Sequence, residues 1–118
     1  MKKILIAEDN DSNYILMTYI LKKYYQFERA KNGQEAVEMA EKNTYDIVLM
    51  DIKMPIMDGL EATRQIKEKH PDLPVVALTA NAFDSDRTAA EKAGCNGFLS
   101  KPVNRDECIS LLKKILGE

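Results

Sequence analysis

Ile47-Val48-Leu49-Met50-Asp51 is four apolar residues running straight into one carboxylate. A run without polar alternation reads as a strand buried on both faces, the kind found in the middle of a parallel sheet. Asp51 then stands where that strand leaves the sheet. Residues 52–59 follow as a turn, marked by Pro55 and Asp58-Gly59, before the next helix. Open α/β sheets bind their ligands outside the carboxyl ends of the strands. Chemically active residues at the other strand ends are therefore expected to converge on Asp51.

Outward from that strand the chain alternates. Residues 3–7 read as a first buried strand ending in Glu8-Asp9-Asn10. Asp11 or Ser12 is the expected cap of a helix running to about Tyr25, with Leu16, Met17, Ile20, Leu21 and Tyr24 as its core stripe. Residues 26–30 read as a weaker edge strand, and Asn32-Gly33 as a turn and cap. Residues 34–42 form a helix with Ala36, Val37 and Ala40 on one face. Beyond the Asp51 strand, residues 60–69 form a helix stopped by His70-Pro71. Residues 74–78 give a fourth strand ending in Thr79-Ala80-Asn81, and residues 84–93 a helix closed by Gly94. Residues 97–99 give a short fifth strand ending in Ser100-Lys101-Pro102. Asn104 caps the last helix, which carries Cys108, Ile109, Leu112, Ile115 and Leu116. Five strands alternating with five helices predict a doubly wound α/β fold: a parallel sheet, right-handed crossovers, and helices on both faces. One domain over residues 1–118 is expected, without repeats, linkers or an attached effector.

The totals narrow the function. A chain of 118 residues has room for a real core, and a net charge of −2 lacks the basic excess of a nucleic-acid or membrane-surface module. No apolar run approaches a membrane span or a signal-peptide core. Cys95 and Cys108 form no metal-spaced or redox motif, so two free thiols in a reducing cytoplasm are expected.

Five groups lie at strand ends: Glu8 and Asp9 after the first, Asp51 after the third, Thr79 after the fourth and Lys101 after the fifth. Three carboxylates brought together raise one another's pKa, and a hard divalent cation relieves the repulsion. Mg²⁺ takes one or two carboxylates, keeps several waters and shares phosphate oxygens. Lys101 adds a positive charge and Thr79 a hydroxyl for phosphoryl oxygens. A carboxylate can itself be the nucleophile and form an aspartyl phosphate, with positioning and charge neutralisation doing most of the catalytic work.

The chain resembles the CheY-like receiver domains of two-component response regulators over its whole length. The resemblance rests on Glu8-Asp9-Asn10, on residues 50–59, on Leu78-Thr79-Ala80 and on Lys101-Pro102. It implies a flavodoxin-like (βα)5 fold with sheet order 2-1-3-4-5, the order the fold is known for in CheY itself. It implies Asp51 as phosphoacceptor, with Thr79 and Lys101 on the phosphoryl oxygens. Mg²⁺ (or Mn²⁺) would be held by Asp9, Asp51 and the backbone carbonyl of Lys53, with Glu8 acting through water. It further implies a cis peptide at Lys101-Pro102 and a switch in which Thr79 moves toward the phosphoryl group. Phe98 then turns into the vacated space, changing the surface of the fourth helix, fifth strand and fifth helix. Many members carry Tyr at the position of Phe98.

Within the family the chain is most similar to receivers of hybrid histidine kinases and phosphorelays. That similarity rests on Asn13, on Leu60-Glu61-Ala62-Thr63-Arg64 and on residues 77–82. The implied partner is a histidine kinase or a histidine phosphotransfer protein. No nucleic acid or membrane contact is implied, the location is cytoplasmic, and the chain is a monomer or a phosphorylation-dependent dimer. The domain would catalyse only its own phosphorylation and dephosphorylation. Lys53 and Asn81, each two residues past a site residue, are expected to tune the hydrolysis. Ile15 and Tyr19 fall outside the core stripe of the first helix and are candidate partner contacts.

Other readings are weaker. A flavin module would need a Ser/Thr/Gly-rich phosphate loop where Glu8-Asp9-Asn10-Asp11 is acidic. A Mg²⁺-dependent phosphatase would place its nucleophile after the first strand and carry a cap. A degenerate receiver would lack part of the site set. Asp58-Gly59 is read as turn and helix start, and His70 as exposed and inert.

Overall fold

The computed structural model describes residues 1–80 and 84–118. Five strands and five helices alternate along the chain: β1 (Lys3–Ala7), α1 (Asp11–Leu21), β2 (Gln26–Ala30), α2 (Gly33–Lys42), β3 (Ile47–Asp51), α3 (Gly59–Lys69), β4 (Val75–Thr79), α4 (Asp84–Ala93), β5 (Gly97–Ser100) and α5 (Arg105–Leu116). All strand pairs are parallel and the order is β2-β1-β3-β4-β5.

Residues alternate across each strand, so each strand feeds two layers. Ile4, Ile6, Ile47 and Leu49 point to the α1/α5 side, among Met17, Leu21, Cys108 and Leu112. Leu5, Ala7, Val48 and Met50 point to the other side, among Ala36, Val37, Ala62 and Ile66. The central strands β3 and β4 are buried at every position, which explains their lack of polar alternation. Edge strand β2 is half-exposed along most of its length.

Side chains fix the helix starts. The side chains of Asn10, Asn32, Asp58 and Asn104 each accept from the backbone N–H three residues on, at Asn13, Glu35, Glu61 and Glu107. These are N-caps of the strongly preferred residue types.

The first helix departs from expectation. Its cap is Asn10 rather than Asp11 or Ser12, and it ends at Leu21 rather than near Tyr25. The cap needs extended backbone, which Asn10 has. With the helix ending early, Tyr24 falls in the connection and is 42% exposed, while Tyr25 enters the core beside β2. Leu16, expected in the core, is 40% exposed. His70 is half-buried rather than exposed, and its Nε2 is shielded from solvent without a hydrogen-bond partner among the described residues. Both thiols are free, as expected.

Candidate functional site

Register brings the strand ends to one place. Ala7 pairs with Met50, Asp51 with Leu78, and Thr79 with Ser100. Glu8, Asp51, Thr79 and Lys101 therefore leave the sheet at one level. Backbone hydrogen bonds continue just past the strands: Glu8 N to Ala30 O, Ile52 N to Leu78 O, and Lys101 N to Thr79 O. The peptide bond Lys101-Pro102 is cis, as the family resemblance implies.

Glu8 is fully buried, and Asp51 and Thr79 are 5% and 4% exposed. Lys101 Nζ lies between the two carboxylates, 2.7 Å from Glu8 Oε1 and 3.1 Å from Asp51 Oδ2. Glu8 Oε2 accepts from the backbone N–H of Asn10. Asp9 is exposed. Ligand oxygens of Glu8, Asp9 and Asp51 all lie within 4.8 Å of one another. Asp51, Ile52, Lys53, Thr79, Ala80 and Lys101 line a cleft of about 110 Å³.

The charges are unbalanced. One ammonium faces two buried carboxylates and a third at the surface. Burial raises the Asp51 pKa well above the usual carboxylate range, and its hydrogen bond and charge contact with Glu8 raise it further; Lys101 only partly offsets this. For Lys101 burial acts downward, but the contacts with Glu8 and Asp51 win and hold its pKa above the ordinary value. A site with excess buried negative charge and clustered oxygen donors fits a hard divalent cation.

The loop of residues 52–58 starts at this cleft, whose lining includes Ile52 and Lys53. A Cβ on Gly59 would fall 2.0 Å from the carbonyl oxygen of Asp51, and one on Gly33 2.3 Å from that of Met57. Only glycine allows both approaches. Gly59 N donates to Ile52 O and Gly33 N to Met57 O, so the loop is tied at both ends. Between the ties, Met57 N donates to Pro55 O and Ile56 has φ of +71°. An i to i+2 bond around positive φ is the γ-turn of the rare, strained kind. For a β-branched residue the left-handed region costs about 1–2 kcal/mol.

The expected residues thus meet as follows. Glu8, Asp9, Asp51, Thr79 and Lys101 come together, and Lys53 is exposed on the rim of the cleft. Asn81 lies outside the described residues. Phe98 is half-buried against Ile52, Ala77 and Ala90, with the Arg87 guanidinium 5.2 Å from its ring centroid. Asp58 caps α3 rather than facing the cleft chemistry. The strained turn at Ile56 escaped sequence reasoning, because Met-Pro-Ile-Met-Asp-Gly looks like ordinary turn chemistry and nothing in it announces positive φ at an isoleucine.

The model of the response regulator receiver domain family matches residues 4–113. The chain belongs to that family. Among its relatives, the polar-differentiation response regulator DivK of Brucella anthropi is 34% identical, covering 99% of this chain and 98% of DivK. Hybrid signal transduction histidine kinase M of Dictyostelium discoideum is 42% identical over 96% of this chain, which spans 5% of that kinase. Hybrid kinase B of the same organism and two-component system protein A of Emericella nidulans are likewise much longer, the receiver spanning 7% and 18% of them. Among solved structures, the receiver domain of sensor histidine kinase PA1611 of Pseudomonas aeruginosa is 37% identical with a TM-score of 0.92. The match covers 99% of this chain and 98% of that one, and that structure holds a magnesium ion in its active-site cleft. Vibrio cholerae chemotaxis protein CheY4 superposes with a TM-score of 0.91 at 26% identity, covering 98% of each chain. The flavodoxin-like architecture with sheet order 2-1-3-4-5 is thus the receiver fold. Among the described residues, no helix is long and apolar enough to cross a membrane.

Proposed function

We propose that residues 1–118 form one receiver domain whose Asp51 accepts a phosphoryl group from a phosphohistidine in a two-component pathway or phosphorelay. The observation that carries this reading is the position of Asp51. It is a buried carboxylate, raised in pKa, contacted by Lys101, next to Glu8 and Asp9, and open to a phosphoryl-sized cleft. Kinship with receivers of hybrid histidine kinases supports the donor class. A cleft of about 110 Å³ is below the usual size of an organic cofactor pocket.

Asp9, Asp51 and the backbone carbonyl of Lys53 would hold Mg²⁺ or Mn²⁺, with Glu8 contributing through water. The bound ion would neutralise the carboxylates and the incoming phosphoryl oxygens. The remaining work falls to the chain. An Asp51 carboxylate oxygen attacks phosphorus, the P–N bond to the donor imidazole breaks, and its electron pair stays on that nitrogen, which takes up a proton. Lys101 pairs with a phosphoryl oxygen, and the Thr79 hydroxyl donates to another. Hydrolysis of the aspartyl phosphate resets the domain, with Lys53 and Asn81 tuning its rate.

The output follows from the packing of Phe98. Beside its ring lies a cavity of about 280 Å³, lined by Arg87, Ala90, Glu91, Cys95, Asn96 and Gly97 as well as Phe98. Drawing Thr79 toward the phosphoryl group lets the ring leave this side, which alters the α4-β5-α5 surface. Such a switch is one packing element biased by one new charge. Ile15 and Tyr19 are 52% and 65% exposed on α1, and they suit contact with the donor protein. The free thiols Cys95 and Cys108 suit a cytoplasmic setting.

Intact mass after incubation with acetyl phosphate and Mg²⁺ tests the reading. One added phosphoryl group is expected on the wild type, and none with Asp51→Asn or with EDTA. An adduct that survives in Asp51→Asn would move the acceptor elsewhere.

A further inference from the structure

Among the described residues, Ile56 is the sole non-glycine residue with positive φ. The residue is 83% exposed. These facts conflict if folding alone chose the residue. Glycine fits this backbone without steric penalty, and asparagine tolerates it. Isoleucine tolerates it poorly and recovers nothing by burial. Nor does the loop need Ile56 as an anchor. Met54 and Met57 on either side pack against the core, Asp58 caps α3, and the bonds to Gly33 and Gly59 hold the backbone. The turn is over-determined, and its apex carries an apolar side chain outward. Strain that persists in an over-determined setting points to function.

The loop begins at Asp51 and its Ile52 and Lys53 line the cleft. Asp51 itself is almost wholly buried at the cleft floor. An imidazole carried on a protein reaches it only if the surface around that histidine settles on the rim. A small donor needs no such contact. We propose that Ile56 is a specificity-determining contact for the phosphohistidine donor, covered by an apolar side chain next to the donor histidine. This inference rests on the proposed phosphoacceptor function. It explains why the residue is costly in the free domain: its apolar surface leaves water only in the transfer complex, as contact residues near an interface centre do.

The test compares wild type, Ile56→Gly and Ile56→Asn in three measurements. The donors are phosphoramidate, a small N–P compound, and the phosphorylated kinase that labels the wild type fastest in a panel of purified histidine kinases. Thermal midpoints of both variants should rise, by about 3–6 °C for glycine, since the strain is gone. Labelling by phosphoramidate with Mg²⁺ should stay within about twofold of wild type, while transfer from the kinase falls about tenfold or more, a typical loss for a buried apolar contact. Unchanged transfer from the kinase overturns the inference while leaving the phosphoacceptor reading intact. A lowered midpoint overturns it too, because Ile56 would then be holding the loop. Equal loss with both donors assigns Ile56 to the chemistry rather than to the partner. Failure of phosphoramidate to label the wild type, or of every kinase in the panel, removes the underlying reading and the inference with it.

Discussion

At the scale of single residues the site is a charge imbalance held in place by one lysine. Lys101→Met leaves Glu8 and Asp51 buried side by side without a cation, and breaking a buried pair in this way costs about 3–5 kcal/mol. Urea unfolding at pH 7.5 in EDTA should show that loss. Asp51→Asn acts oppositely: it removes the excess charge and leaves Lys101 paired with Glu8. It should stabilise the metal-free domain by about 1–2 kcal/mol in the same assay. The pH dependence separates this account from a packing effect. The folded pKa of Asp51 lies above its unfolded value near 3.9, so the unfolded chain loses that proton first. The stabilising contribution of the protonated form is complete below the unfolded pKa. It declines as pH rises, and is gone above the folded pKa. In EDTA the wild type should therefore lose stability between mildly acidic and neutral pH, and Asp51→Asn should lack that part of the slope. Gly59 is the other sensitive position. A methyl group there meets the Asp51 carbonyl at 2.0 Å, so Gly59→Ala must displace the acceptor's own backbone. A loss of about 1–3 kcal/mol is expected, as for overpacking, together with slower labelling by acetyl phosphate.

At the scale of elements, the sequence was legible where the signal is local and periodic. Residues 47–51 and 75–78 have no polar alternation, and they lie in the strands β3 and β4, which are buried at every position. Asn32, Asp58 and Asn104 stand before their helices with Glu three residues on, and all three cap. The first helix was harder. Asn10, Asp11 and Ser12 are all capping types in a row, so chemistry alone does not choose among them. Its far end carries Lys22, Lys23, Tyr24 and Tyr25, which continue a helical pattern that tertiary packing cuts at Leu21. That one-turn difference swaps which tyrosine is buried. The cap at α5 is the cleanest to test. Asn104 Oδ1 accepts from Glu107 N in an exposed setting, and Asn104→Ala should cost about 1 kcal/mol of unfolding free energy. Asn104→Ser should restore most of it. An alanine variant as stable as wild type would mean that packing of Cys108 and Leu112 alone sets the start of that helix.

At the scale of the whole molecule, parallel pairing converts sequence order into a site. Every strand runs the same way, so Glu8, Asp51, Thr79 and Lys101 reach one edge of the sheet although Lys101 follows Glu8 by 93 positions. This convergence could be read from the alternation of elements. What could not be read is the loop conformation at Ile56 or the contact between Arg87 and Phe98, since both depend on exact backbone placement rather than on pattern. The same architecture couples the metal site to global stability. A cation that binds only the folded edge of the sheet stabilises the fold by mass action, by about 2.7 kcal/mol at a hundredfold excess over its dissociation constant. For a domain of this size that is roughly a 10 °C rise in midpoint. Mg²⁺ should therefore raise the thermal midpoint of the wild type progressively. Asp51→Asn should begin higher in EDTA and respond far less, so that the two curves of midpoint against Mg²⁺ concentration cross. The crossing requires one carboxylate both to destabilise the empty fold and to hold the ion. Parallel curves would place the ion elsewhere, and a flat wild-type curve would mean that Glu8, Asp9 and Asp51 hold no Mg²⁺ at all.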